Sequence, residues 1–326
     1  MLKRDPFLQN FPSSLKLISL IVIMIICIFI FNLVGLAIAM PIWGKDTMNE
    51  TNINFLKYIQ IINEIGVFIL PVLLFAYLVN KDIKRYLKIG HKPRMFSIFT
   101  AILLMFVSIP LTVWLSSINQ AMHLPSWLEG VEKWMRTQQL NNDTISNTFL
   151  KETSLKGLLI NMVMIAILPA IGEEFLFRGV LVKVFKHWFN NVHVAVMVSA
   201  ILFSAIHFQF FGFIPRLFLG VILGYLFVYS RNLWVPIIAH FVNNAFAVFI
   251  VFLNTKKIIK VDPDNLGISD NDYTVIIGSF VFIVILMFAL YKSRRKIRAH
   301  YSSRSKETKD IIDVEESISS ENIIDS

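Results

Sequence analysis

Long, continuously apolar runs alternate along this chain with short blocks of Lys and Arg, and the runs set its elements. Stretches of about 17–25 mostly apolar residues, the length needed to cross a bilayer, fall at roughly 17–40, 58–79, 97–116, 157–182, 192–210, 214–229, 233–253 and 274–291. This pattern predicts an all-α fold, a polytopic membrane bundle of about eight transmembrane helices. The runs lack the apolar–polar alternation of a strand with one face to lipid and one to a lumen, which disfavours a β-barrel. No internal repeat is visible, so a transporter built from related halves lacks its usual signature.

Charge adds an orientation. With the N-terminus taken as cytoplasmic, seventeen Lys and Arg fall on the inner side, including the dense blocks at 81–94 and 292–298, against ten on the outer side. That asymmetry predicts an integral plasma-membrane protein with both termini in the cytoplasm. Basic belts facing anionic headgroups account for the net charge of +9 without a nucleic-acid partner, leaving membrane lipid as the expected surroundings. Cys27, the single cysteine, lies in the first run, so there is neither a disulfide framework nor a thiol metal site. The first run is too long for a signal peptide and lacks a small-residue cleavage site.

Four segments follow. Residues 1–156 hold three transmembrane helices and a long outer loop, 117–156, whose Trp127 and Trp134 favour the headgroup region and predict short interfacial helices. Residues 157–253 carry the intramembrane polar groups. Residues 254–298 comprise an outer loop with Pro263 and Gly267 and the last helix, and 299–326 form a polar tail expected to be disordered in the cytoplasm. Gly220 and Gly224 make a small-xxx-small pair, read as close helix packing.

Ionisable groups at membrane depth are costly and mark function. Three runs contain them: Glu173, Glu174 and Arg178; then His207; then His240 with Asn243 and Asn244. Adjacent helical positions diverge by about 100°, so Glu173 and Glu174 point apart, whereas Glu174 and Arg178, at i and i+4, share a face and predict a buried ion pair. Phe203 and His207, and likewise His240 and Asn244, share faces at the same spacing. The bland reading is a structural ion-pair network with helix–helix hydrogen bonds. The chemical one notes that a carboxylate can take a proton from water, an imidazole can orient that water or protonate a leaving amine, and an amide can donate to an oxyanion. The same groups could instead bind Zn2+ or another divalent metal through Glu173, His207 and His240, although no H-E-x-x-H helix is present. Straight, upright helices would place Glu173 at mid-membrane, His207 near the outer end of its run and His240 in the inner third of its own. Their meeting requires a kink at Pro169, a tilt, or a shifted boundary near Gly212.

Glu173-Glu174-x-x-x-Arg178, Phe203-x-x-x-His207 and His240-x-x-x-Asn244, in this order on separate helices, resemble the CPBP (Abi) family of intramembrane proteases, which includes the CAAX prenyl endopeptidases. The resemblance covers about 157–250. It implies catalysis by Glu173, His207, His240 and Asn244, supported by Glu174, Arg178 and Phe203. Glu173 and His207 would activate water, His240 and Asn244 would form the oxyanion site, and the substrate would be a peptide or protein cleaved at or within the membrane. Family members are described both as metalloproteases and as glutamate-dependent proteases without a catalytic metal. Two alternatives stand beside the enzyme: a non-catalytic scaffold or immunity-type protein of the same family, and a proton-coupled transporter.

The charge asymmetry is tested by placing single cysteines at Ser319 and Asn141 in a Cys27→Ser background. They are expected to label from opposite sides of intact cells, and labelling of both by an impermeant reagent would overturn the topology.

Overall fold

The computed structural model describes residues 5–44, 47, 52–260 and 273–295, all of whose regular structure is helical. Helix α1 (Ser13–Trp43) lies at the periphery, with Ile18, Ile25, Phe29 and Leu33 facing outward as lipid-contacting side chains do. Helix α2 (Ile53–Val79) starts where the Asn52 side chain accepts the Phe55 N–H at 3.2 Å. A short α3 (Ile83–Leu87), capped by Asp82, leads to α4 (Met95–Gln120). A polar helix α5 (Glu129–Leu150) precedes the long α6 (Leu155–Phe189), whose first turn is capped by Ser154. Then come α7 (Val192–Ala205), α8 (Phe213–Ser230), α9 (Trp234–Thr255) and α10 (Tyr273–Arg295).

Among the described residues, seven helices are long and apolar enough to span a membrane, and α7 is the exception. The run 192–210 predicts a full crossing. Instead α7 has 14 residues, about 21 Å at 1.5 Å per residue, against a hydrocarbon core of about 30 Å. The chain then continues in a turn through Phe208, a left-handed residue at φ 51°. Backbone at this depth must find partners inside the protein. Asn119 provides two of them, donating to the Phe210 carbonyl at 3.1 Å and accepting the Ile214 N–H at 2.8 Å, and the Ser204 hydroxyl donates to the Phe213 carbonyl at 2.7 Å.

The predicted outer connection 117–156 contains a 22-residue helix, α5, in place of short interfacial helices only. The Glu132 carboxylate accepts the Leu124 N–H at 2.8 Å and is chelated by Arg136, and these bonds, with His123, hold its pKa down to about 2. Arg136 also lies 4.4 Å from the centre of the Phe211 ring, and Trp134 packs on Phe210. Thus α5 rests on the turn that follows α7. The expectations for residues 261–272 and for the tail 299–326 fall outside the described residues.

Helix α6 is the hub. Its buried Phe175, Phe177, Val180, Val182 and Phe185 join one apolar core with Phe75 of α2, Val196 of α7 and Phe227 of α8. Two π-helical stretches, Met162–Ile167 and Phe175–Leu181, interrupt α6, and another, Ile65–Ile69, interrupts α2. The first stretch in α6 precedes Pro169 and that in α2 precedes Pro71. A proline ring crowds the carbonyl four residues back, and a locally wider helix relieves that clash.

Helices α7 and α8 touch through the predicted glycine pair. A Cβ on Gly220 would stand 3.1 Å from Ala200 Cβ, and one on Gly224 would stand 2.7 Å from Val196 Cγ1. Gly224→Leu should therefore force the pair apart and lower thermal stability in detergent by about 1–3 kcal/mol. A melting temperature equal to that of the wild type would show that the two helices separate freely.

Candidate active site

Glu173 and Glu174 close a seven-residue α-helical stretch, Leu168–Glu174, set between the two π-helical stretches of α6. Glu174, fully buried, accepts from Arg178 Nη1 at 2.6 Å and from His240 Nδ1 at 3.0 Å, both on Oε1. The other arm of the guanidinium, Nη2, donates to the Gly220 carbonyl at 2.8 Å, and the group lies 4.7 Å from the centre of the Phe203 ring. One carboxylate and one guanidinium therefore tie α6 to α7, α8 and α9. Gly220 serves twice: its missing side chain admits α7, and its carbonyl accepts Arg178.

Glu173 points the other way. Its Oε1 lies 3.9 Å from His207 Nε2 and its Oε2 lies 3.8 Å from His240 Nε2, distances too long for direct hydrogen bonds. The far nitrogens fix the tautomers. His207 Nδ1 faces the Phe203 carbonyl at 2.8 Å and so carries the proton, as does His240 Nδ1 against the Glu174 carboxylate. With Nδ1 as the donor, each ring turns its Nε2 towards the Glu173 carboxylate. Glu173 Oε2 is buried without a hydrogen-bond partner. Phe203 meets both rings edge-on, with centroids 5.3 Å from His207 and 5.8 Å from His240, and holds them apart.

These groups line a cavity of about 330 Å³ with Asn243, Asn244, Ser116, Pro215 and Arg216. The shortness of α7 resolves the depth mismatch of upright helices: His207 follows a helix that stops early and so sits deeper than the end of a full span. Asn244 also has a structural task. Pro169 has no N–H to give the Ile165 carbonyl, four residues back, and Asn244 Nδ2 donates to that carbonyl at 3.1 Å. The Asn243 amide in turn donates to Asn244 Oδ1 at 3.1 Å.

Two further residues belong to this neighbourhood and are absent from the sequence-derived set. Glu64 is 5% exposed, its Oε1 has no hydrogen-bond partner, and a Cβ on Gly172 would stand 3.1 Å from that oxygen. Its signal in the sequence is a lone carboxylate inside the apolar run 58–79. Arg216, counted by sequence among outer-side cations, lines the cavity and donates to the Gln209 side chain. It stands just inside the eighth helix, where span boundaries alone do not separate loop from site.

Two imidazole nitrogens and a carboxylate are the donors that a zinc ion takes, and the Nδ1 bonds to Phe203 and Glu174 are of the kind that orient such ligands. Yet among the described residues no three His, Cys, Asp or Glu side chains gather in a geometry that could hold a metal ion. The residues as placed do not fit a metal, and the chemistry below is built on the side chains.

Because the Glu174–Arg178 pair is buried on both sides, at 0% and 1% exposure, removing one partner leaves an uncompensated charge, a loss of about 3–5 kcal/mol. Arg178→Ala should melt well below the wild type in detergent. A wild-type melting profile would mean that the pair is hydrated.

Residues 155–246 match the family described as Type II CAAX prenyl endopeptidase Rce1-like. Among curated relatives, the uncharacterized protein YpbD of Bacillus subtilis (strain 168) is 27% identical over 133 residues, covering 39% of this chain and 64% of the relative. The membrane-embedded CAAX protease MroQ of Staphylococcus aureus (strain USA300) is 33% identical over 105 residues, covering 29% of this chain and 41% of the relative. The chain thus spans less than two thirds of the length of either relative. No solved structure matches. The matched segment contains every motif of the buried Glu, Arg, His and Asn cluster, and it is this segment that carries the likeness to the Rce1-like CAAX protease family.

Proposed function

We propose that this protein is an integral membrane endopeptidase that hydrolyses a peptide bond of a peptide or protein substrate at or within the membrane. The observation that carries the reading is the convergence of the Glu173 carboxylate and the two Nε2 atoms, at 3.9 and 3.8 Å, on one cavity. A water bonded to both the carboxylate and His207 Nε2 would bridge the first of these gaps. The name of the staphylococcal relative and the matched family both favour peptide hydrolysis.

In this mechanism Glu173 takes a proton from a water that His207 Nε2 orients, and the water oxygen attacks the carbonyl carbon of the scissile bond. The proton passes from Glu173 towards His240 Nε2. The imidazolium so formed is stabilised through Nδ1 by the Glu174 carboxylate, which Arg178 holds in place. His240 then faces the oxyanion as a donor, together with the Asn244 amide hydrogen not used on Ile165. Collapse of the tetrahedral intermediate breaks the C–N bond, and the leaving amine takes up the transferred proton.

Glu173→Gln preserves shape and removes the base. It should abolish proteolysis, as should His207→Ala, in proteins that still assemble, and the double variant should be no worse than either single one. Peptides retained by purified Glu173→Gln would identify the substrate by mass spectrometry, and substantial turnover by this variant would overturn the mechanism. Activity is also expected to survive prolonged chelation. Loss under chelation and recovery with stoichiometric Zn2+ would reassign Glu173, His207 and His240 as metal ligands.

A further inference from the structure

At the C-terminal end of α6, a second cavity of about 1020 Å³ opens where α3, α6 and α8 terminate. Lys84, Arg85, Lys88, Lys183, Lys186 and Arg231 line it, and its carboxylate is Asp82, already engaged in capping α3 through the Arg85 N–H. Arg294 lines it as well, Lys183 already donates to the Tyr86 carbonyl, and none of the six forms an ion pair among the described residues. The frame is cross-braced. Leu233 N–H donates to the Lys88 carbonyl at 3.2 Å, Asn232 Nδ2 to the His91 carbonyl at 2.7 Å, and Trp234 Nε1 to the Ile89 carbonyl at 3.1 Å. These bonds hold Lys88 and Arg231, both in left-handed turns at φ 61° and 56°, against the same opening.

Helix C-termini attract cations, and three end here. Each supplies at most about half a negative charge, so with Asp82 they offset roughly two or three of the six positive charges. The remainder repel one another. Desolvation, and then the proximity of Arg231, Lys186 and Arg294, hold the Lys88 ammonium below the usual lysine range. An ordinary juxtamembrane belt spreads its charges over a surface, whereas these surround a concavity large enough for a phosphodiester and its flanking groups.

We propose that this cavity is a binding site for a phosphate-bearing anion, with Lys88, Lys186 and Arg231 as its principal contacts. Phosphoryl oxygens suit both the guanidinium fork and the lysine point charges. Basic pockets at the ends of transmembrane helices take lipid headgroups in this way, and a soluble phosphate compound offers the same chemistry. The site is separate from Glu173 and does not depend on the proposed peptidase activity.

The test uses the full-length protein, delipidated in zwitterionic detergent, with thermal unfolding followed in the presence of phosphatidylcholine, phosphatidylglycerol or inorganic pyrophosphate. A ligand that binds the folded state raises the melting temperature in a saturable way. Phosphatidylglycerol or pyrophosphate should do so beyond phosphatidylcholine, the first identifying a lipid headgroup and the second a soluble phosphate. Each cation at a membrane surface contributes about 5-fold in affinity, so Lys88→Gln/Arg231→Gln should raise the half-saturating concentration by about 25-fold. The charge-matched control on the opposite side, Lys133→Gln/Lys151→Gln, should behave as wild type. If the double variant does not fold, Lys186→Gln alone should give about a 5-fold shift. Absence of any anion-specific stabilisation in the wild type, or an equal loss in the control, would overturn the proposal.

Discussion

A guanidinium at bilayer depth without a counter-ion costs about 3 kcal/mol or more, so the placement of Arg178 constrains the elements around it. Glu174 meets one arm and the Gly220 carbonyl meets the other, with the Phe203 ring against its face. Gly220 can present its carbonyl only because α7 and α8 approach closely, and His240 reaches Glu174 only because α9 packs on the same side of α6. The charge pair is therefore the joint at which four helices are aligned. Apolar side chains gain little by leaving lipid for one another, which gives such polar joints a larger share of the specificity than they have in a water-soluble core.

Helix α6 separates two tasks between adjacent residues. Glu174 is committed to structure through its Oε1, while Glu173, rotated by about 100°, lines the cavity, and each keeps one buried oxygen without a hydrogen-bond partner. Pro169 and the two π-helical stretches set the turn that carries them. The carbonyl deprived of a donor by Pro169 becomes the anchor for Asn244, so a backbone defect in α6 fixes the position of α9. Any oxyanion role of Asn244 rests on its second amide hydrogen, and substitutions there should be judged for helix placement as well as chemistry.

The sequence made much of this legible because it used hydrophobic continuity and i,i+4 spacing, which follow directly from helix geometry. Seven of the apolar runs correspond to long helices, and the facing pairs Glu174–Arg178 and Phe203–His207 touch as that spacing requires. The run 192–210 misled because Ile206, Phe208 and Phe210 are as apolar as any lipid-facing residues. Their departure from helix is set by bonds from Asn119, some ninety residues away, which no local pattern reveals. Glu64 and Arg216 were hidden for a related reason: their relevance depends on which helices pack beside α6. The link between His240 and Glu174 likewise joins residues sixty-six positions apart.

The first cavity meets α6 at Glu173, near the middle of the helix, and the second surrounds its C-terminal end. Phe175, Leu176, Phe177, Val180, Leu181 and Val182 are all buried around the closed Glu174–Arg178 pair, in a stretch shorter than a full span. A polar chamber reaches membrane depth from one side and a basic basin indents the other, yet no chain of polar side chains connects them among the described residues. A transmembrane voltage would fall mainly across this thin apolar septum, because wet regions conduct and dry ones do not. A charge carrier in the first cavity would have to cross these side chains to reach the second, so the packing of Phe177 and Val180 bears on leakage as well as on stability.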